Sequence, residues 1–294
     1  MHDFQTRIAE VSAPAKINLC LLVGQRREDG YHPIFSVMEK IKLFDTLRAT
    51  LEPVGAGIRL TGSVIPPAEN IVMRAALALE RETGRKLDVH IELRKEIPVA
   101  AGLAGGSSNA AAVLKLLTFI FGLEISPERL EAVALSLGAD VPFFLRTGPQ
   151  LAQGVGDDLE PLPGLPDYAV VLVKPDLELS TAEVYRLYDE MAGAGAADFE
   201  KRCRSLKDEM THLGGAGSLA ALLQNDLELP AAVLFPGLAR LKEEIMTTGA
   251  LGALMSGSGS SVFGIFARLE EVEVAVGQLR RPNRQVWVAE PFRE

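Results

Sequence analysis

Pro98-Val-Ala-Ala-Gly102-Leu-Ala-Gly105-Gly106-Ser107-Ser108-Asn-Ala-Ala111 is the stretch on which the reading of this chain turns. The run before it, Leu87-Asp-Val-His-Ile-Glu-Leu93, has apolar residues at alternate positions and predicts a strand. The Ala- and Leu-rich run after it, Asn109 to Phe121, predicts a helix. Strand, small-residue loop and helix together form the local architecture of a phosphate cradle. Glycines let the backbone come close to an anion. The unpaired N–H groups and positive dipole end of the new helix then face it. Ser107 and Ser108 add hydroxyl donors and are expected to supply the N-cap. The bland alternative is an ordinary glycine-rich turn, and the loop alone does not separate the two.

Two familiar nucleotide motifs are absent. There is no G-x-x-x-x-G-K-[ST], and Lys115 falls well inside the predicted helix, where it cannot play that motif's lysine. Gly257-Ser-Gly259-Ser-Ser-Val262 begins a G-x-G-x-x-G pattern and fails at its third glycine.

The 294 residues are enough for two domains, and 48% hydrophobic with 23% charged residues is ordinary for a folded protein. A net charge of −9 argues against a general nucleic-acid surface. It leaves room for a small anionic ligand held by amides and lysines. Cys20 and Cys203 alone make no disulfide framework and suit a reducing, cytoplasmic setting. No apolar run approaches a membrane span. Four histidines without paired His/Cys spacing do not suggest a structural zinc site.

Val11 to Val23 alternates. Val11, Ala13, Ala15, Ile17, Leu19, Leu21 and Val23 fall on one face, with Pro14, Lys16 and Asn18 on the other. Asp29-Gly30 marks a turn, and Ile34 to Phe44 reads as a returning strand. Asn70 to Glu82, ended by Gly84, and Ser126-Pro127-Glu128 onward to Leu137, ended by Gly138, read as helices. Pro161 to Pro166 suits a linker, so domains are expected over 1–163 and 164–294. In the second part, Tyr168–Val173 reads as a strand and Thr181–Glu190 as a helix. Ala192–Ala197 reads as a loop, and Leu238–Met246 as a helix. A strand–turn–strand unit over Ala250–Phe266, a helix over Leu269–Leu279 and a strand over Gln285–Ala289 follow. That order predicts an antiparallel sheet with helices on one face, as in ferredoxin-like domains.

Lys16 and Asn18 share a strand face about 6–7 Å apart. A lysine there is most often solvated, but asparagine is unusual in a strand. Asp140, in Gly138-Ala-Asp140-Val-Pro142-Phe-Phe, reads either as a turn aspartate or as a carboxylate that takes a proton from a substrate hydroxyl. Tyr31 and His32, beside Asp29-Gly30, suit a site for a planar ring or an incidental turn. Leu254 to Val262 is either a plain hairpin or a backbone wall over the first glycine loop.

Taken in order, PAKIN near the start, the glycine loop and the late SGSGSS resemble the three motifs of the GHMP kinase superfamily. PAKINL, DGYH, IPVAAGLAGGSSNAA, GADVPFF, QGVGDDL, the Asn225-Asp226-Leu-Glu228 run and MSGSGSSVFG are similar, within it, to the 4-diphosphocytidyl-2-C-methyl-D-erythritol kinases. The resemblance spans residues 14 to 264. It implies an α+β, two-domain GHMP kinase fold. An N-terminal α/β (ribosomal S5-like) domain is joined to a C-terminal ferredoxin-like domain, with the active site in the cleft between them. It also implies ATP-dependent phosphorylation of the 2-hydroxyl of a cytidyl-linked polyol, a step in the non-mevalonate route to isoprenoid precursors. Asp140 is then the general base and Lys16 its cationic neighbour. Pro98, Val99, Ala100, Ala101, Gly102, Leu103, Ala104, Gly105, Gly106, Ser107 and Ser108 form the ATP phosphate loop. Asn18, Tyr31, His32, Val155, Thr181 and Tyr185 line the substrate, and Mg²⁺ travels with ATP. The expected partners are small molecules, not nucleic acid or membrane, and monomer or homodimer stays open.

The resemblance leaves two alternatives. One is a sister GHMP kinase acting on mevalonate-type, homoserine or sugar alcohols. The other is a non-catalytic nucleotide-binding protein on the same fold. DGYH argues against the first, and the presence of both Lys16 and Asp140 against the second. Many relatives carry glycine where Ala100, Ala101 and Ala104 stand, so negative φ is expected at these alanines, with Ala104 away from the tightest phosphate contact.

Overall fold

Both faces of the first strand are buried, and this is the main departure from its alternating sequence. In the computed structural model, which describes residues 8–162, 164–191 and 198–293, β1 (Ile8–Val23) is buried at every position from Ala13 onward. Lys16, expected on a wet face, is 5% exposed and Asn18 is 3% exposed. The neighbouring strand, β2 (Ile34–Leu51), runs seven residues past the expected Phe44. Then come β3 (Ile58–Thr61), α1 (Ile71–Thr83), β4 (Val89–Arg94), α2 (Gly105–Phe121) and α3 (Pro127–Leu137). A 3-10 turn at Pro142–Leu145 leads to β5 (Gln150–Gln153), β6 (Asp158–Pro161), β7 (Ala169–Pro175) and α4 (Thr181–Met191). α5 (Phe199–Met210), α6 (Ala216–Ala221), β8 (Gln224–Asn225) and α7 (Glu228–Leu234) follow. The chain closes with α8 (Gly237–Thr247), β9 (Gly252–Met255), β10 (Val262–Phe266), α9 (Leu269–Leu279) and β11 (Arg284–Ala289). The loop expected over 192–197, and Pro163 of the expected linker, lie outside the described residues.

Two compact units interleave along the chain. One contains Leu43–Val99 and Ala104–Thr147 with the start of β1; the other contains Lys16–Lys42, Ala100–Leu103 and Gly148 onward.

In the first unit, β4 pairs antiparallel with β2 from Thr46↔Arg94 to Leu51↔Val89, and β3 lies parallel to β4. The helices are punctuated as their sequences predict. Asn70 caps α1 through its side chain, which accepts from the Val72 N–H at 2.8 Å, and Gly84 closes it at φ 67°. Ser126 caps α3 with Pro127 at its first turn. α2 is apolar nearly all round and buries Ala110, Ala111, Val113, Leu114 and Leu117. Asp45, wholly buried, accepts the amides of Glu96 at 2.7 Å and Ile97 at 2.9 Å and pairs with Lys95. It thereby fixes the chain as it leaves β4 for Pro98.

In the second unit, the sheet order is β11-β7-β10-β9, with every pairing antiparallel. These are the fourth, first, third and second strands of a ferredoxin-like arrangement. α8 contributes Leu238, Leu241 and Ile245 to its core, and α9 contributes Val272, Ala275, Val276 and Leu279. β5 pairs with β2 at Ser36↔Ala152, and β8 runs parallel to β1 at Cys20↔Gln224. Buried Glu39 holds the chain end, accepting from Tyr168 and, at 2.8 Å, from Arg293. Burial raises the Glu39 carboxyl above its ordinary value, against the lowering effect of these two donors.

α5, α6, α7 and β8 were not expected from the sequence. α5 buries only Cys203, Leu206 and Met210, too narrow an apolar stripe to stand out among its charges. α6 and α7 have 6 and 7 residues, less than two helical turns each.

Both cysteines are free and buried. Burial pushes the Cys20 thiol up to about 12 and Cys203 up to about 11. At pH 8 both stay protonated, and the nucleophile is the thiolate. The folded protein is therefore expected to leave a chromogenic disulfide reagent unreacted at pH 8, with both thiols appearing in guanidinium. Rapid reaction of either thiol in the native state would contradict this.

Candidate active site

The glycine loop is seated on the second glycine turn. A Cβ added to Gly102 would lie 2.0 Å from the Ser256 carbonyl oxygen, so only glycine fits there. The Ser256 hydroxyl donates to the Gly102 carbonyl at 2.9 Å, and the Ser261 amide donates to the Ala101 carbonyl at 3.2 Å. The 256–261 turn is thus a backbone wall against Ala101–Gly102, the second of its two sequence readings. On the loop's other flank the Lys16 amide donates to the Leu103 carbonyl at 3.1 Å. The Lys16 ammonium donates to Asn18 Oδ1 at 2.5 Å, and Asn18 Nδ2 donates to Ser36 Oγ at 2.8 Å. Buried cation and amide are therefore oriented by one chain of hydrogen bonds running from β1 to β2. Thr181, the first residue of α4, shares a 2.8 Å hydroxyl contact with Ser258 on the same glycine turn.

The start of α2 corrects two expectations. Ser107 and Ser108 do not cap it; the N-cap is Ala104, at φ 51° and ψ 32°, and it makes no side-chain bond. Ala100 also stands at φ 51°, so two of the three loop alanines adopt left-handed backbone rather than the expected negative φ. The physical consequence favours an anion. A Ser or Asp cap would engage the amide two or three residues on, and alanine leaves it unengaged. Ser108 is the first to close the helical ladder, bonding to the Ala104 carbonyl at 3.0 Å. The amides of Gly105, Gly106 and Ser107 precede that bond and belong to the helix's unpaired first turn.

Sequence reasoning missed Lys95. Its ammonium, held by the buried Asp45 carboxylate, lies 3.2 Å from where a Gly105 Cβ would be. A cation therefore stands at the first residue of α2, where the helix dipole already favours negative charge. The available signal was a lysine three positions before Pro98.

Asp140 is half-buried on the turn between α3 and the 3-10 turn. Phe143 and Phe144 are buried just beyond it, their rings 5.0 Å apart at 73°. Pro98 and Val99 lead into the loop; Val99 is 53% exposed.

A separate aromatic cluster surrounds His32. Its Nδ1–H donates to the Gly24 carbonyl at 2.9 Å, and Nε2 lies 3.2 Å from Asp189. The Tyr185 ring is 5.3 Å away and tilted 39°, and Tyr188 packs edge-on at 5.8 Å. The Gly154 carbonyl accepts from the Ile34 amide at 2.8 Å, which brings the turn carrying Val155 against the start of β2, two residues after His32. Tyr31 is 65% exposed. Asp189 was not anticipated; it lies four residues after Tyr185, on the same face of α4.

Models of the GHMP kinases N terminal domain and the GHMP kinases C terminal match residues 70–148 and 204–285. A protein of Desulfitobacterium hafniense (strain Y51), named 4-diphosphocytidyl-2-C-methyl-D-erythritol kinase, is 43% identical over 280 residues, covering 95% of this chain and 94% of that one. A protein of the same name from Pelotomaculum thermopropionicum is 42% identical over 284 residues, covering 95% and 96%. A crystal structure of 4-(cytidine 5'-diphospho)-2C-methyl-D-erythritol kinase superposes with a TM-score of 0.79 at 37% identity, covering 96% and 99% of the two chains.

The left-handed alanine at the N-cap gives a direct test. Ala104→Gly relieves about 1–2 kcal/mol of backbone strain and restores about 0.4–1 kcal/mol of unfolded-chain freedom. A net stabilisation of up to about 1.6 kcal/mol is expected in urea unfolding. A loss of stability would show that the alanine methyl is packed usefully.

Proposed function

Because the chain belongs to the 4-diphosphocytidyl-2-C-methyl-D-erythritol kinases of the GHMP kinase superfamily, we propose that it transfers the γ-phosphoryl group of ATP to the 2-hydroxyl of that cytidyl-linked polyol. The observation that carries the reading is the buried Lys16–Asn18 pair on β1, adjoining a glycine loop that is itself braced by the Gly257–Gly259 turn. A folded protein tolerates a lysine this buried only with partners. A buried, partnered cation whose own backbone amide bonds the glycine loop at Leu103 suits phosphoryl transfer, in which positioning and charge stabilisation do most of the work.

In this reading the Gly105, Gly106 and Ser107 amides and Lys95 receive the ATP phosphates. Lys16 stabilises charge developing on the transferred group. Asp140 accepts the proton of the attacking hydroxyl. His32 and Tyr185 take the cytosine, with Asn18, Tyr31, Val155 and Thr181 around the rest of the substrate.

Among the described residues no group of three or more His, Cys, Asp or Glu could hold a metal ion. The donors at the loop are amides, hydroxyls and ammonium groups, which suit an anion. Mg²⁺ therefore fits as a companion of the ATP phosphates, where it would screen their charge from the incoming nucleophile.

Purified protein with ATP is expected to phosphorylate the cytidyl substrate and to leave the uncytidylated methylerythritol phosphate untouched. Asp140→Ala is expected to lower kcat about 10²–10⁴-fold while the protein stays folded by circular dichroism. Near-wild-type turnover in that variant would remove Asp140 from the role of base, and turnover of the uncytidylated compound would favour a sister kinase.

The aromatic cluster makes a separate prediction. His32→Ala is expected to raise KM for the cytidyl substrate about tenfold, the equivalent of about 1.4 kcal/mol, with KM for ATP unchanged. CDP should raise the wild-type Tm more than that of the variant. Equal KM values for the cytidyl substrate would place the cytosine elsewhere.

A further inference from the structure

We infer that Asn225 is a positioning residue for the phosphate loop, acting through the glycine turn rather than on any substrate; the inference rests on the reading of the 98–108 segment as the ATP site. The Asn225-Asp226-Leu-Glu228 run was legible as a motif but had no role. Its side chains hold two elements. The Asn225 Nδ2 group donates to the carbonyls of Met255 and Gly257, each at 2.8 Å, and its Oδ1 accepts the Leu227 amide at 2.9 Å. Glu228 accepts the Met255 amide at 3.1 Å and pairs with Lys242 at 2.5 Å. Asp226 serves elsewhere, accepting the Val23 amide at 2.9 Å and gripping Arg202.

Asn225 is 8% exposed, and both its amide hydrogens are used. The two carbonyls dictate which end of the amide faces the turn, because only the NH₂ end can donate to both. The relay then runs in one direction. Asn225 fixes the carbonyls of residues 255 and 257. Ser256, between them, bonds the Gly102 carbonyl and occupies the space of a Gly102 side chain. Gly257 stands against the same loop: a Cβ there would lie 3.3 Å from the Gly102 carbonyl oxygen and 3.4 Å from Asn18 Oδ1. A shift of the turn must therefore move Gly102 or the amide that orients Lys16. β8 anchors the relay, since Asn225 is paired with Leu21 of β1 in the parallel ladder. Strand β1 so sets both Lys16 directly and, through Asn225, the wall on which the loop lies.

Asn225→Asp is the sharp test. It preserves shape and the acceptor for Leu227 but points an oxygen at two carbonyls. kcat/KM for ATP is expected to fall about 10–100-fold, together with affinity for a non-hydrolysable ATP analogue measured by calorimetry. Ser256→Ala, which cuts the relay at its far end, should reproduce the pattern. The double variant should lose no more than the worse single, because the two act in series. Ile245→Val, a core truncation beneath the same sheet, controls for lowered Tm and should leave ATP affinity alone. Unchanged analogue affinity in folded Asn225→Asp, losses that multiply in the double variant, or an equal loss in Ile245→Val would each overturn the inference. Should Asn225→Asp fail to fold, Asn225→Ser, which retains one hydroxyl donor, is read by the same measurements. Analogue affinity needs no turnover, so a wild type without kinase activity would count against the proposed reaction and still leave Asn225 judged.

Discussion

Where a side chain on Gly102 would begin, the Ser256 carbonyl already stands, 2.0 Å away from the missing Cβ. Much of the candidate site depends on that close approach. Two stretches more than a hundred and fifty residues apart in sequence meet backbone to backbone, with side chains as spacers only at the edges. Backbone contact of this kind is stiffer than contact through long side chains, because peptide groups have two soft dihedrals and no rotamers. A loop held in this way presents its amides in one geometry, and preorganised donors stabilise an anion without reorganising on binding.

The charged groups are managed by the same principle. Lys16 and Lys95 are cations in poorly solvated places, and each has an oxygen partner: Asn18 for one, the buried Asp45 carboxylate for the other. Unpartnered, the buried Lys16 would carry a desolvation cost of several kcal/mol. Partners keep the cations where an anionic ligand would need them. Asp45 has a further role, since its second oxygen binds the two amides that launch the loop. Glu39 offers a contrast. It lies beside Tyr168 and Arg293, its raised carboxyl reflects burial, and it tethers the chain end to β2.

Legibility in the sequence followed the range of the interactions involved. Caps and breakers act within four residues, so α1, α3 and their ends were readable from Asn70, Gly84, Ser126 and Gly138. The strands of the second unit were readable as short apolar runs, because β7 and β10 are buried along nearly their whole length and such strands carry few polar residues. β1 misled because burial of both faces is imposed by neighbours that come later in the chain. α2 misled at its start for a different reason. Propensity favours serine as a cap, but a cap that bonds the first amides would compete with a ligand for them, and Ala104 stands in that place despite its left-handed strain.

Composition and local pattern pointed, without coordinates, to a chain of mixed helices and strands with a glycine loop open to two readings, a phosphate cradle or a plain turn, and the order of its motifs identified the kinase superfamily. Those features depend on neighbours in sequence and on residue types, and both are written in the chain. Only the tertiary structure decided that the late glycine turn is the wall of the early loop, that Lys95 stands at the mouth of α2, and that Asn225 reaches the turn from β8. Each of these is a contact between residues whose separation in sequence carries no signal of their distance in space. Backbone carbonyls, which look alike at every position, supply most of the partners.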